Sequence, residues 1–146
     1  MEKIARSNPL IKLLRYWLPV IIWAGIIFLF SANPTTRASQ INWQDFVIKK
    51  SAHVFIYGVL STLFYRALRG YDLKDQKAYF YSIFFTVLYG FSDEFHQSFT
   101  PGREPTFRDV IFDTTGAVLA VYLISKYLPS TSGTINSLAK RLELIG

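Results

Sequence analysis

Four apolar stretches separated by short charged segments set the pattern of this chain. The first, "YWLPVIIWAGIIFLFSANPTT", runs for 21 residues between Arg15 and Arg37 without a charged side chain. At about 1.5 Å per residue, a helix of that length crosses a hydrocarbon core of roughly 30 Å. Its basic flank and apolar core also fit a signal peptide. "FLFSANPT" is a poor small-residue cleavage site, however, so the segment is read as an uncleaved span. Tyr16 and Trp17 suit an interfacial position, and Pro19 is placed to bend the helix. The other stretches, 51–65, 78–92 and 114–125, are shorter when only charge-free residues are counted, and a buried helix of a soluble domain shares that length.

The charges between the stretches decide in favour of a membrane. Lys3, Arg6, Lys12, Arg15, Arg66, Arg69, Lys74, Lys77, Lys126, Lys140 and Arg141 fall on one side. Arg37, Lys49, Lys50, Arg103 and Arg108 fall on the other, a division of eleven to five. The positive-inside rule then predicts an all-α, polytopic bundle of four transmembrane helices with both termini cytoplasmic. The expected spans are 14–31, 47–65, 78–97 and 109–128, one domain over 1–128. Residues 129–146 are expected to form a flexible linker and an interfacial tail. In that tail Ile135, Leu138, Leu142 and Ile145 share an approximate helical face, and Pro129 is expected to end the fourth span.

Ionisable residues interrupt this pattern at one depth. Counted outward from the nearest cytoplasmic charge, His53 lies 13 positions from Arg66, Asp93 and Glu94 lie 16 and 17 from Lys77, and Asp113 lies 13 from Lys126. At about 1.5 Å per residue all of them reach the outer third of the hydrocarbon core. Lys50, His53 and Tyr57 share a helix face, as do Asp109, Asp113 and Gly116, and Asp93 and Gln97 are one turn apart. Exposing such groups to lipid costs several kcal/mol each, about 2.5–3.5 on insertion scales, so the faces are expected to meet inside the bundle. Gly58, Gly90 and Gly116 are expected to permit close helix approach.

The predicted result is an outward-facing polar pocket built from Lys50, His53, Tyr57, Asp93, Glu94, His96, Gln97, Arg103, Arg108, Asp109 and Asp113. The loop "SFTPGREPTFRD" forms its rim, with Thr106 as a candidate N-cap. Arg103 and Arg108 carry forked donors that hold carboxylate or phosphate, while the acids orient cations, amides and hydroxyls. The same acids also suit a purely structural interhelical network with Lys50, Arg103 and Arg108. If the protein is an enzyme, His96, Glu94 and Asp113 are the candidate acid-base groups. His53, His96 and Asp113 are the candidate ligands of a divalent metal. No local spacing is diagnostic of a metal site, and no cofactor is expected.

Composition narrows the classes further. The chain is 51% hydrophobic and 17% aromatic with only 18% charged residues, which excludes disorder. It has no cysteine, so neither disulfides nor thiolate metal sites are available. The formal charge of +6 sits beside apolar segments, where anionic lipid rather than nucleic acid is the natural counterion.

The segments "FSANP", "KSAHVFIYGVL" and "YGFSDEFHQSFTPGREPTFRDVIFDTTGAVL" resemble the VanZ-like family of small bacterial membrane proteins, named after an accessory teicoplanin-resistance protein. The resemblance implies a multi-span inner-membrane protein linked to the cell envelope and hands over no established reaction, cofactor or ligand. Glu104 and Pro105 stand where many members carry a small or hydroxyl-bearing residue. The combined expectation is an accessory protein that binds membrane lipid through its headgroup, a phospholipid or a lipid-linked cell-wall precursor, and affects teicoplanin susceptibility. The alternatives are a membrane enzyme acting on a lipid phosphate, a purely structural membrane protein, and a small transporter. The apolar inner halves of the spans give a transporter no polar route to the cytoplasm.

Overall fold

The computed structural model of the protein describes residues 8–33, 41–101, 106–130 and 133–144, and these are almost wholly helical. Five α-helices follow in order: α1 Pro9–Ser31, α2 Asn42–Gly70, α3 Asp75–Gln97, α4 Phe107–Tyr122 and α5 Thr134–Arg141. α4 continues into a π-helical turn, Leu123–Tyr127, and a 3-10 turn, Leu128–Ser130. Pro129 therefore lies in the last helical turn, near the expected end of that segment.

Local chemistry explains where the helices exceed the apolar stretches. α1 begins at Pro9, five residues before the expected start, because Asn8 caps it: its Oδ1 accepts from the Leu10 N–H at 2.9 Å. Proline loses nothing in the first turn, where the N–H has no intrahelical partner. Pro19 is accommodated inside the continuous helix. α2 runs for 29 residues and extends past the apolar stretch at both ends. Its junction with α3 is held by Asp75, whose Oδ1 accepts from Tyr65 Oη at 3.0 Å and from Arg69 Nε at 2.9 Å.

α2 is the central helix, packed against α1, α3 and α4. One core cluster joins Val20 and Ile27 of α1 to Tyr57, Leu60 and Ala67 of α2. A second joins Tyr65 and Leu68 of α2 to Ala78 of α3 and Val121 of α4. Ring donors tie the helices across their backbones: Trp23 Nε1 donates to the Ile56 carbonyl at 3.0 Å, and Tyr89 Oη to the Ala24 carbonyl at 2.6 Å. The α2–α4 contact is closest at Gly116, whose position beside the Val54 backbone leaves no room for a Cβ.

The surface inverts the usual distribution. Leu18, Ile21 and Ile22 on α1, Phe55 on α2, Phe80, Phe84 and Leu88 on α3, and Ile111 and Leu119 on α4 are all exposed. The inward faces carry Ser31, Ser61, Ser82, Thr86, Asp93 and Asp113, all buried. Apolar exposure on this scale fits hydrocarbon surroundings rather than water. Segments 9–31 and 43–70 combine sufficient length with mean hydropathies of 2.0 and 1.2 to cross a membrane. In α3 and α4 the inward acids and hydroxyls lower the average, although the outward faces remain apolar.

The C-terminal segment is tied to the bundle. Glu143 receives Arg15 Nη2 at 2.6 Å and Arg66 Nη2 at 2.9 Å, and Arg66 Nε donates to the Leu142 carbonyl at 2.8 Å. Ile135, Leu138 and Leu142 stay exposed, in keeping with an interfacial face, whereas Ile145 lies outside the described residues. Glu143→Gln is expected to cost under about 1 kcal/mol, because the ion pairs are partly solvated. It should nevertheless speed proteolytic release of the tail, measured by limited proteolysis of the solubilised protein. Unchanged cleavage would show that the tail is held by something else.

Candidate functional site

The shared face of α2 meets acids from two other helices. Lys50 Nζ donates to Asp109 Oδ1 on α4. His53 Nδ1 lies 2.8 Å from Asp113 Oδ1, also on α4, and Tyr57 Oη donates to Asp93 Oδ2 on α3 at 3.0 Å. The same Asp93 oxygen accepts from Gln97 Nε2 at 2.9 Å, the one-turn partner on its own helix. These contacts form a polar ladder inside one end of the bundle. The His53 and Tyr57 rings are nearly parallel, with centroids 6.2 Å apart and an interplanar angle of 6°. Gly90 packs directly against the ladder: a Cβ there would lie in ordinary contact, 3.4 Å from Asp113 Oδ2 and 3.5 Å from the Tyr57 ring.

Glu94 does something its position in "SDEFHQ" does not announce. Its Oε2 accepts from the Thr106 N–H at 2.9 Å, where α4 begins. Thr106 does occupy the N-cap position, but its hydroxyl makes no cap bond. A carboxylate from α3 takes a donor there instead, and the positive end of the helix dipole favours that charge. Asp109 lies in the first turn of the same helix, as expected from its place in the sequence.

Two expected members are placed elsewhere. The His96 ring stacks on Phe28 of α1, with centroids 4.1 Å apart, and its Nδ1 has no hydrogen-bond partner among the described residues. No hydrogen bond or ion pair joins it to a carboxyl group among the described residues, because its direction on α3 turns it toward α1 rather than α4. The metal set His53, His96 and Asp113 is therefore not assembled. Among the described residues no three His, Asp or Glu side chains converge on a metal position. Arg108 is exposed and pairs with no acid among the described residues, and Arg103 lies outside them.

Among the described residues three buried carboxyl groups each keep one oxygen without a partner: Asp93 Oδ1, Glu94 Oε1 and Asp113 Oδ2. Lys50 is already matched by Asp109, so the inner part of the site is rich in acceptors and poor in cations. Beside the ladder lies a cavity of about 150 Å³ between α1, α2 and α3, whose lining includes Trp23, Phe30, Ser31, His53, Tyr57 and Asp93. Ser31 and Trp23 belong to this site and were not candidates from the sequence. Ser31 lies in the "FSANP" segment, but nothing local marks it as polar lining rather than the end of an apolar helix.

Residues 16–128 match the VanZ/LLP1 family model. The chain belongs to the VanZ/LLP1 family. The VanZ/LLP1 region runs from α1 through the π-helical turn, so it contains every member of the polar ladder and leaves α5 outside. No curated protein and no solved structure matches the chain. Family membership and the two long apolar helices agree on a membrane protein.

Proposed function

We propose that the protein is a cell-envelope accessory protein of the bacterial cytoplasmic membrane that binds a lipid headgroup in an outward-facing polar pocket. In this reading α1 to α4 all cross the bilayer and both termini are cytoplasmic. The headgroup belongs to a phospholipid or a lipid-linked cell-wall precursor, and its occupancy alters teicoplanin susceptibility. The observation that carries the reading is the set of unpartnered carboxyl oxygens on Asp93, Glu94 and Asp113. Buried polar atoms normally find partners, and each one left bare costs about 1–3 kcal/mol. A ligand that donates to them removes that cost. A network serving only to hold helices together gains nothing from leaving them open.

In the enzymatic alternative His96 would act apart from the ladder, because its ring stacks on Phe28. Asp113 itself is bonded to His53, which orients both side chains. Binding without turnover is the simpler account.

Topology is tested with single cysteines, since the chain has none of its own. Lys49→Cys should react with an impermeant thiol reagent in intact cells and Lys74→Cys only after permeabilisation. The reverse pattern would overturn the orientation. Function is tested by native mass spectrometry of the purified protein with its co-purifying lipid. Asp113→Asn is expected to reduce lipid occupancy by about tenfold, the weight of a charge-assisted hydrogen bond, while the melting temperature shows a retained fold. Full occupancy in that variant would remove the pocket from the explanation.

A further inference from the structure

The cavity between α1, α2 and α3 is small, specific in its chemistry and distinct from the Lys50–Asp109 end of the site. Two of its lining side chains are almost fully buried and carry polar atoms without partners among the described residues: Ser31, 4% exposed, through Oγ, and Asp93, 5% exposed, through Oδ1. Asp93 is held in place, because Tyr57 and Gln97 both donate to its other oxygen. Tyr57 is oriented by the same bond, and Trp23 is fixed by donating Nε1 to the Ile56 carbonyl. The walls thus combine aromatic and isoleucine side chains with two buried acceptor-bearing residues, of which Asp93 is held in place. Among the described residues no lysine or arginine lines the cavity.

Each of these features selects against an anion. A phosphate here faces Asp93 directly, with Asp113 in the next rung of the ladder, and the lining histidine, His53, is already taken up by Asp113. A positively charged donor meets the opposite situation: a carboxylate oxygen and a hydroxyl oxygen accept its hydrogen bonds, and ring faces attract its charge. Size is the third constraint. A cavity of about 150 Å³ holds a molecule such as benzene and is smaller than the roughly 300–1,000 Å³ of drug-sized ligand sites. The occupant is therefore a group of a few non-hydrogen atoms rather than a saccharide or peptide headgroup.

We propose that this cavity binds a primary ammonium group, with Asp93 Oδ1 and Ser31 Oγ as its acceptors and the rings of Trp23 and Tyr57 as flanking faces. The proposal rests on the headgroup reading for its location and narrows it to one chemistry. An ethanolamine headgroup presents such an ammonium from the bilayer, and a free amine presents it from solution.

The test uses the full chain in nanodiscs containing equal amounts of phosphatidylethanolamine and phosphatidylglycerol, followed by native mass spectrometry of the retained lipid. Retention of phosphatidylethanolamine by about tenfold over phosphatidylglycerol is expected, as for one charged hydrogen bond with its ring contacts. Asp93→Asn should erase that preference, and Ser31→Ala should reduce it by about threefold to fivefold, a hydroxyl oxygen being the weaker of the two acceptors. Ser31→Ala removes a single oxygen at the end of α1, so it keeps the test valid if Asp93→Asn fails to fold.

Equal retention of both lipids, unaltered by either variant, overturns the ammonium proposal and leaves the headgroup reading standing. If no lipid is retained, the headgroup reading fails. In that case saturable binding of ethanolamine, lost in Ser31→Ala, supports the ammonium site with a soluble source. Absence of ethanolamine binding as well overturns the proposal.

Discussion

Replacing Gly116 by valine is expected to prevent assembly of the bundle, and replacement by alanine to destabilise it by about 3 kcal/mol, the upper end of what overpacking costs. The added Cβ falls on the Val54 carbonyl group, closer than any real side chain approaches, and the obstacle is helix backbone rather than a movable side-chain tip. Relief requires α2 and α4 to separate. The polar ladder then loses register, because Lys50–Asp109 and His53–Asp113 both span that interface. Gly25 provides the control, since a Cβ there meets nothing within 4 Å. Gly25→Ala should leave stability unchanged or raise it by up to about 1 kcal/mol through helix propensity. The measurement is thermal unfolding of the solubilised protein, followed by circular dichroism and by monodispersity on size exclusion. A Gly116→Ala variant as stable as Gly25→Ala would mean that the two helices do not pack as described.

Lys50→Met and Asp109→Leu, made singly, are each expected to destabilise the protein strongly, whereas the double variant should lie within about 1 kcal/mol of the parent. Either single change leaves one charge partly buried without its ion-pair partner, and for Lys50 only the Phe46 and Phe112 rings remain beside it. Breaking a buried ion pair from one side costs about 3–5 kcal/mol. The side chains retain 18% and 13% exposure, which places the expected loss at the lower end. Removing both charges eliminates the unpaired group, and an apolar pair in hydrocarbon surroundings carries no desolvation cost. The difference between the double variant and the sum of the singles gives the coupling, read from the same thermal unfolding curves. Additive losses would show that Lys50 and Asp109 serve something other than each other. The double variant should also keep the lipid selectivity of the parent, because neither residue lines the α1–α2–α3 cavity. This separates the part of the ladder that holds helices together from the part that meets a ligand.

Different kinds of information carried the fold and the site. The helix positions were legible because apolar run length and flanking charge are local quantities: expected spans at 14–31, 47–65, 78–97 and 109–128 lie within helical segments 9–31, 42–70, 75–97 and 107–130. The shared face of Lys50, His53 and Tyr57 was equally legible, since spacing along one helix sets it. The destination of each side chain was not. Asp93 and Glu94 are adjacent, so about 100° of helix rotation separates them, and one turns to Tyr57 while the other reaches the start of α4. Two positions further on, His96 faces Phe28. A count of depth places all three at one level and says nothing about which neighbour each one meets.

The sequence by itself determined that this chain is helical, that long stretches of it are apolar enough to cross a membrane, and where along each segment its ionisable residues fall. These follow from composition and period, which each segment carries independently of the others. Tertiary structure alone decided which acids pair with a cation and which keep an oxygen free, and it brought Ser31 and Trp23 of the first helix to Asp93 of the third. The reason is geometric: partnership in a bundle depends on the rotation and closeness of neighbouring helices, and here a glycine that lets two backbones touch helps to set both.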